Sequence, residues 1–174
     1  MPSILNPLEV MEQIEIKAGS VAADFGSGSG YFALELAKRV GERGKVYAVD
    51  VLPTALESVR SLAKMRGFLN VETRWANLEK TSTLDSASCD FVLAANVFFQ
   101  VDAKFWPAII KEATKVLKTG GQALFIDWKK DSPLGPPKDQ RVTEDKIKSL
   151  VSEQLKFVKK LDIGESHWGL LFTK

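Results

Sequence analysis

Val21-Ala22-Ala23-Asp24-Phe25-Gly26-Ser27-Gly28-Ser29-Gly30-Tyr31 is the stretch that decides the fold of this chain. A short apolar run ends in a carboxylate, passes through glycines at alternate positions and enters a helical pattern. That order describes a strand, a tight loop and a helix N-terminus, built to hold a polar small molecule at the end of a parallel sheet. Alternate glycines let the backbone turn sharply and let a ligand approach where a Cβ would collide. Amides at the start of the following helix lack intrahelical partners and face the same space. Further on, Lys45-Val46-Tyr47-Ala48-Val49-Asp50 reads as a second strand ending in a second carboxylate. An ionised Asp is a two-oxygen acceptor, suited to the vicinal hydroxyls of a ribose. The combination implies a site for a nucleoside-bearing cofactor, although Asp50 also reads as a helix cap.

Gly28-Ser29-Gly30-Tyr31-Phe32-Ala33 satisfies the dinucleotide pattern G-x-G-x-x-A, but Asp24 opposes that reading. A pyrophosphate would be repelled by a carboxylate at the strand end, whereas a sulfonium with a free ammonium group would be attracted to it. Asp24-x-Gly26-x-Gly28-x-Gly30 resembles the first motif of the class I S-adenosylmethionine-dependent methyltransferases, and Asp50 is similar to their ribose-binding acidic residue. Asn77 stands where that family usually has an Asp facing the adenine. Asp90 to Asn96 resembles the fourth strand, and Leu117-Lys118-Thr119-Gly120-Gly121 followed by Gln122 to Asp127 resembles the family's LKPGG turn and fifth strand. The resemblance covers nearly the whole chain. It is greatest to compact single-domain members, such as ubiquinone/menaquinone-biosynthesis and arsenite methyltransferase domains. It implies a Rossmann-like methyltransferase fold: α/β, doubly wound, with a mostly parallel seven-stranded sheet and a C-terminal antiparallel hairpin. It implies S-adenosyl-L-methionine as methyl donor and S-adenosyl-L-homocysteine as product.

The 174 residues, 45% hydrophobic, fit one domain over 1–174 with an ordinary core and little room for a separate substrate domain. A formal net charge of +2 favours neither nucleic acid nor an anionic membrane. The lysines at 146, 148, 156, 159 and 160 read as a solvated face. Cys89 is the single cysteine, which excludes an internal disulfide and fits a reducing compartment. With no apolar leader or spanning run, a cytoplasmic protein is expected. No Cys pair or His cluster offers metal ligands, so arsenite chemistry through several thiols is excluded.

Along the chain, Asn6 to Ile16 reads as a leader helix within an N-terminal region of residues 1–18, capped by Asn6-Pro7. Helices are expected over Tyr31–Val40, from Pro53 to about Met65, over Phe105–Lys118 ended by Gly120-Gly121, and over Glu144–Leu155. Strands alternate with them, which argues for a parallel sheet covered on both faces. The end differs. Phe157 to Asp162 and Trp168 to Thr173 are strand-like, and only five residues, Ile163 to His167, separate them. That is too short for a crossover helix, so the two must pair antiparallel.

Ligands of open parallel sheets bind beyond the carboxyl ends of the strands. For the cofactor, Gly26, Ser27, Gly28 and Gly30 are assigned to the methionine portion, with Asp24 orienting its ammonium group. Asp50 holds the ribose, Val51 and Leu52 pack on adenine, and Ala76, Asn77 and Leu78 complete the base site. Asn96 closes the cofactor site at the fourth strand. The acceptor mouth is drawn from Val97, Phe98, Phe99, Trp128 and Trp168, roofed by the Pro-rich loop Ser132–Pro137. In-line methyl transfer can proceed by alignment and water exclusion alone. Should the acceptor need to lose a proton, Asp127 and His167 are the general-base candidates; Asp127 also reads as a turn cap and His167 as a structural residue. A small-molecule acceptor is expected. The alternatives are a protein-lysine or RNA acceptor, a non-catalytic cofactor-binding module, and a nicotinamide dehydrogenase, which Asp24 and the hairpin oppose.

Overall fold

A computed structural model describes residues 5–174. Its elements are α1 (Pro7–Met11), β1 (Val21–Phe25), α2 (Tyr31–Val40), β2 (Lys45–Asp50), α3 (Pro53–Met65), β3 (Val71–Trp75), β4 (Cys89–Ala95), α4 (Trp106–Val116), β5 (Leu117–Trp128), α5 (Glu144–Val151), β6 (Lys156–Leu161) and β7 (His167–Thr173). One sheet contains all seven strands, in the order β3-β2-β1-β4-β5-β7-β6. The first five in that order run parallel, and β7 lies antiparallel between β5 and β6. The C-terminal hairpin required by the short Ile163–His167 connection is therefore present, with β6 as the edge. Chain direction across the sheet reverses between β1 and β4. This is the switch point at which crossovers leave on opposite sides and a crevice opens.

Successive residues of β1 face opposite sides of the sheet. Ala22 packs with Val10, Leu36 and Val59 on one face, while Ala23 and Phe25 pack with Ile109, Ile110 and Ile147 on the other. Both faces of β1 and β4 are thereby covered, which is why these strands read as continuous apolar runs rather than alternating ones.

Three boundaries depart from the sequence reading. Helix α1 ends at Met11, well short of Ile16, because the Gln13 side chain leaves to clamp the hairpin: its Nε2 donates to Asp162 O at 2.7 Å and its Oε1 accepts the Asp162 N–H at 2.9 Å. Helix α4 ends at Val116 and passes directly into β5, so Gly120-Gly121 do not stop it. The glycines lie instead in an irregular part of β5, where the Gly120 N–H donates to Lys174 O and the Lys174 N–H to Gly121 O. Helix α5 stops at Val151, and Leu155 turns inward to be buried.

Trp168 and Phe98 also move from their expected places in the acceptor mouth. Trp168 is fully buried, with its indole N–H donating to Val142 O at 3.2 Å, and Phe98 is buried edge-on against Phe125 with ring centroids 5.6 Å apart. Residues at strand ends can face either the crevice or a covering layer, and alternation along β7 sends Trp168 into the layer, while Phe98 enters it from the 3-10 turn that follows β4. Replacement of Trp168 by Ala is accordingly expected to cost about 3–5 kcal/mol of stability, as for other large core aromatics. Chemical denaturation measures this; a cost below about 1 kcal/mol would return Trp168 to the cleft wall.

Candidate functional site

Two cavities of about 350 and 340 Å³ flank the loop between β1 and α2, at the carboxyl ends of the parallel strands. They share Gly26, Gly28 and Gln100 as a common wall. The larger is lined by Asp24, Ser27, Ala95 and Asn96, then by Trp128, Leu134, Ser166 and His167. The smaller is lined by Asp50, Val51, Leu52, Ala76, Asn77 and Leu78, with Val97 and Ile109 behind them. A hollow of about 870 Å³ lies elsewhere, between the C-terminus of α2 and the connection from α3 to β3. Of its two acids, Glu72 is already paired with both Lys45 and Arg74.

The three loop glycines adopt positive φ, of 72°, 50° and 87° at Gly26, Gly28 and Gly30. Only Gly28 is open: a Cβ there would meet nothing within 4 Å. At Gly26 it would come 2.7 Å from Val97 Cγ2, and at Gly30 it would come 2.9 Å from Val59 Cγ2. Gly30 lines neither cavity. Its role is close packing of the loop against α3, which corrects its assignment to the methionine portion.

Asp50 makes a structural tie and faces a cavity at the same time. Its Oδ2 accepts the Gly28 N–H and its Oδ1 the Leu52 N–H, each at 2.9 Å, while the residue lines the smaller cavity. Leu52 is the cap of α3. One carboxylate thus ties the glycine loop to the start of the next helix. Asn77 lines the same cavity, but its Oδ1, the atom expected to meet an exocyclic amine, already accepts the Glu79 N–H at 2.9 Å.

Asp24 lies on the α2 side of β1, buried. Burial, reinforced by the charge of Asp50, pushes the Asp24 pKa up to about 7. Its Oδ2 and the Ser27 Oγ are buried without a hydrogen-bond partner. Two orphaned polar atoms from residues that line one cavity are costly unless a ligand completes them.

Neither general-base candidate is placed to accept a proton easily. Asp127 is completely buried, lines neither cavity, and accepts the N–H groups of Trp128 at 2.8 Å and Phe99 at 3.3 Å. Its pKa is pushed up to about 6 by burial. Phe99 thus contributes an amide to Asp127 rather than a ring to the mouth. His167 does line the larger cavity, but burial and the charge of Lys129 push its pKa down to about 4. Val97, expected at the acceptor mouth, stands on the wall of the smaller cavity instead. Asn96 has φ 59°, and that left-handed residue turns the chain between the two cavities. Trp128 lines the larger cavity.

Gln100, Ser166, Tyr31, Phe32 and Leu134 line the larger cavity without having been singled out as site residues. Leu134 sits in the Pro-rich loop expected to roof the mouth. The others carried no signal, because their approach depends on how separate loops fold together. Among the described residues no group of three His, Cys, Asp or Glu could hold a metal ion, and no helix is long and apolar enough to cross a membrane.

Gly30→Ala is expected to lose about 2–4 kcal/mol, from left-handed strain plus the contact with Val59. Gly28→Ala should lose only about 1 kcal/mol; equal losses in urea unfolding would contradict this division. Asp24 has a folded pKa above its ordinary value, so its protonated form is favoured by folding. Its contribution is complete below about pH 4 and is lost as pH rises to about 7, amounting to about 4 kcal/mol. Asp127 has the same sign between about pH 4 and 6, and His167 the opposite one, with stability lost as pH falls from about 6.5 to 4. Stability of Asp24→Asn measured against wild type across pH 4–8 isolates the Asp24 share: the difference should grow in favour of the variant as pH rises.

A methyltransferase-domain family model matches residues 22–121. Curated relatives include an arsenite methyltransferase of Aquipseudomonas alcaligenes, 30% identical over 146 residues, covering 73% of this chain and 42% of the relative. Another is a 2-phytyl-1,4-naphtoquinone methyltransferase of Nostoc punctiforme, 33% identical over 121 residues, covering 67% of this chain and 50% of the relative. The chain spans about half the length of these relatives. A crystal structure of a SAM dependent methyltransferase from Aquifex aeolicus is similar with a TM-score of 0.86 and 26% identity, covering 97% of this chain and 89% of that one. With the glycine loop and its two carboxylates inside the matched segment, which spans more than half of the chain, the chain belongs to the methyltransferase-domain family.

Proposed function

We propose that this protein transfers a methyl group from S-adenosylmethionine to a small-molecule acceptor, as one domain spanning residues 1–174. The observation that carries the reading is the divided cleft. Orphaned Asp24 and Ser27 atoms stand on one side of the Gly26–Gly28 wall, and Asp50 with an apolar slot stands on the other. When bound, S-adenosylmethionine supplies a methyl group on a sulfonium, ready for in-line displacement.

The residues present fit that donor. Asp24 would take the ammonium group, and a cation beside it would favour the ionised carboxylate that burial alone disfavours. Each Asp50 oxygen keeps acceptor capacity beyond its one backbone amide, enough for ribose hydroxyls. Val51, Leu52, Ala76 and Leu78 would sandwich the base. Gly28 leaves the space that the donor needs. Trp128 and Leu134 would exclude water from the acceptor side.

Neither Asp127 nor His167 serves as the base in this reading. The first is enclosed and held by amides, and the second binds a proton too weakly. The favoured acceptor is therefore one whose nucleophile is already competent or loses its proton to water, with alignment supplying the rate. A reducing, cytoplasmic setting is the natural one for a chain whose one cysteine, Cys89, is buried with its thiol pKa pushed up. Calorimetric titration with S-adenosylmethionine, S-adenosylhomocysteine and NAD tests the proposal. Saturable binding of the two sulfur nucleosides, and not of NAD, is expected; absence of both from a folded sample would overturn it.

A further inference from the structure

Asn96 closes β4 in a left-handed conformation that asparagine tolerates better than most residues. Its N–H donates to Ile126 O at 2.8 Å, and its backbone oxygen accepts the Gln100 side-chain amide. Its Oδ1 faces His167 Nε2 at 3.1 Å, and His167 Nδ1 faces Ser166 Oγ at 2.8 Å. An amide oxygen only accepts, so a neutral imidazole must carry its proton on Nε2, and Nδ1 then accepts from the Ser166 hydroxyl. The ring is further fixed against Trp128, with centroids 4.0 Å apart. The side-chain polar atoms of Asn96 and His167 are thus engaged, with one exception. Asn96 Nδ2 has no partner among the described residues, although Asn96 lines the larger cavity together with Asp24 and Ser27.

Charge narrows what that amide can meet. Among the described residues lining this cavity there is no Lys or Arg. An α-amino-acid end entering it finds Asp24 for its ammonium group, while its carboxylate must be received by uncharged donors. We propose that Asn96 Nδ2 donates to the carboxylate of the bound amino-acid end, and that His167 is a positioning residue holding the Asn96 amide in that orientation. This rests on the methyl-donor reading of the cleft. It assigns His167 a task in which the imidazole neither gains nor loses a proton.

His167 is the only histidine in the chain, so nitrogen-15 NMR of the untagged protein reads its ring without ambiguity. At pH 7 a neutral ring protonated on Nε2 is expected; an Nδ1–H or charged ring overturns the proposal. Calorimetry then compares S-adenosylhomocysteine with methylthioadenosine, which keeps the nucleoside and thioether but lacks the amino-acid end. Asn96→Asp and His167→Leu should each weaken S-adenosylhomocysteine at least about tenfold, the scale of a lost hydrogen bond to a charged group. Both should leave methylthioadenosine within about twofold. His167→Gln, which keeps an N–H donor, should recover most of the loss. Equal weakening of both ligands, or of neither, overturns the proposal while leaving the methyl-donor reading intact. Wild-type protein that binds neither ligand overturns both.

Discussion

The cleft depends on the Asp50 carboxylate. One oxygen holds the Gly28 amide and the other the Leu52 amide, so a single side chain joins the β1–α2 loop to the start of α3. The tie fixes where the glycine loop stands between the cavities, and it leaves Gly28 with open space in front of it. Gly26 and Gly30 then lock the loop from behind, against Val97 and Val59. The loop's three glycines therefore divide their work: two allow close packing, and one leaves room.

Around this fixed point the chain places two carboxylates at adjacent strand ends without a cationic side chain between them. Asp24 is the strained member, buried and short of one hydrogen bond. Such a group disfavours its own charge unless a cation stands beside it, which is the basis for assigning it to the cationic end of the proposed ligand. The hydrogen-bonding side chains on the far wall, Asn96 and Ser166, are uncharged donors and acceptors.

The Trp128–Leu134 side of the larger cavity is organised differently, by a buried arginine. The Arg141 guanidinium donates to the backbone oxygens of Lys129, Lys130, Ser132, Leu134 and Pro136, and the loop from 129 to 141 winds around it. A planar five-donor fork suits this better than a lysine ammonium could. The winding sets Leu134 on the cavity wall and lays Gly135 on Trp128, where a Cβ would collide with the indole. The roof over the acceptor space is consequently packed rather than loose.

The order of elements, the parallel sheet and the C-terminal hairpin were legible because they rest on local rules: apolar periodicity, glycine and proline punctuation, and a connection too short for a crossover. Asp24, Gly28 and Asp50 were legible for the same reason, since their spacing lies within one strand-loop-helix unit and its neighbour. Trp168, Phe98, Phe99 and Val97 were not, because the face taken by a residue at a strand end depends on what packs there. The end of α1 was decided by Gln13 reaching a hairpin far away in sequence. The sequence by itself determined the fold class and the strand-loop-helix units that carry Asp24, Gly28 and Asp50, where each residue acts through its own stretch of backbone. Only the tertiary structure decided the opposite wall of the larger cavity, because Asn96, His167, Trp128 and Leu134 meet there from the ends of β4, β7 and β5 and from the loop after β5, and no local pattern encodes that meeting.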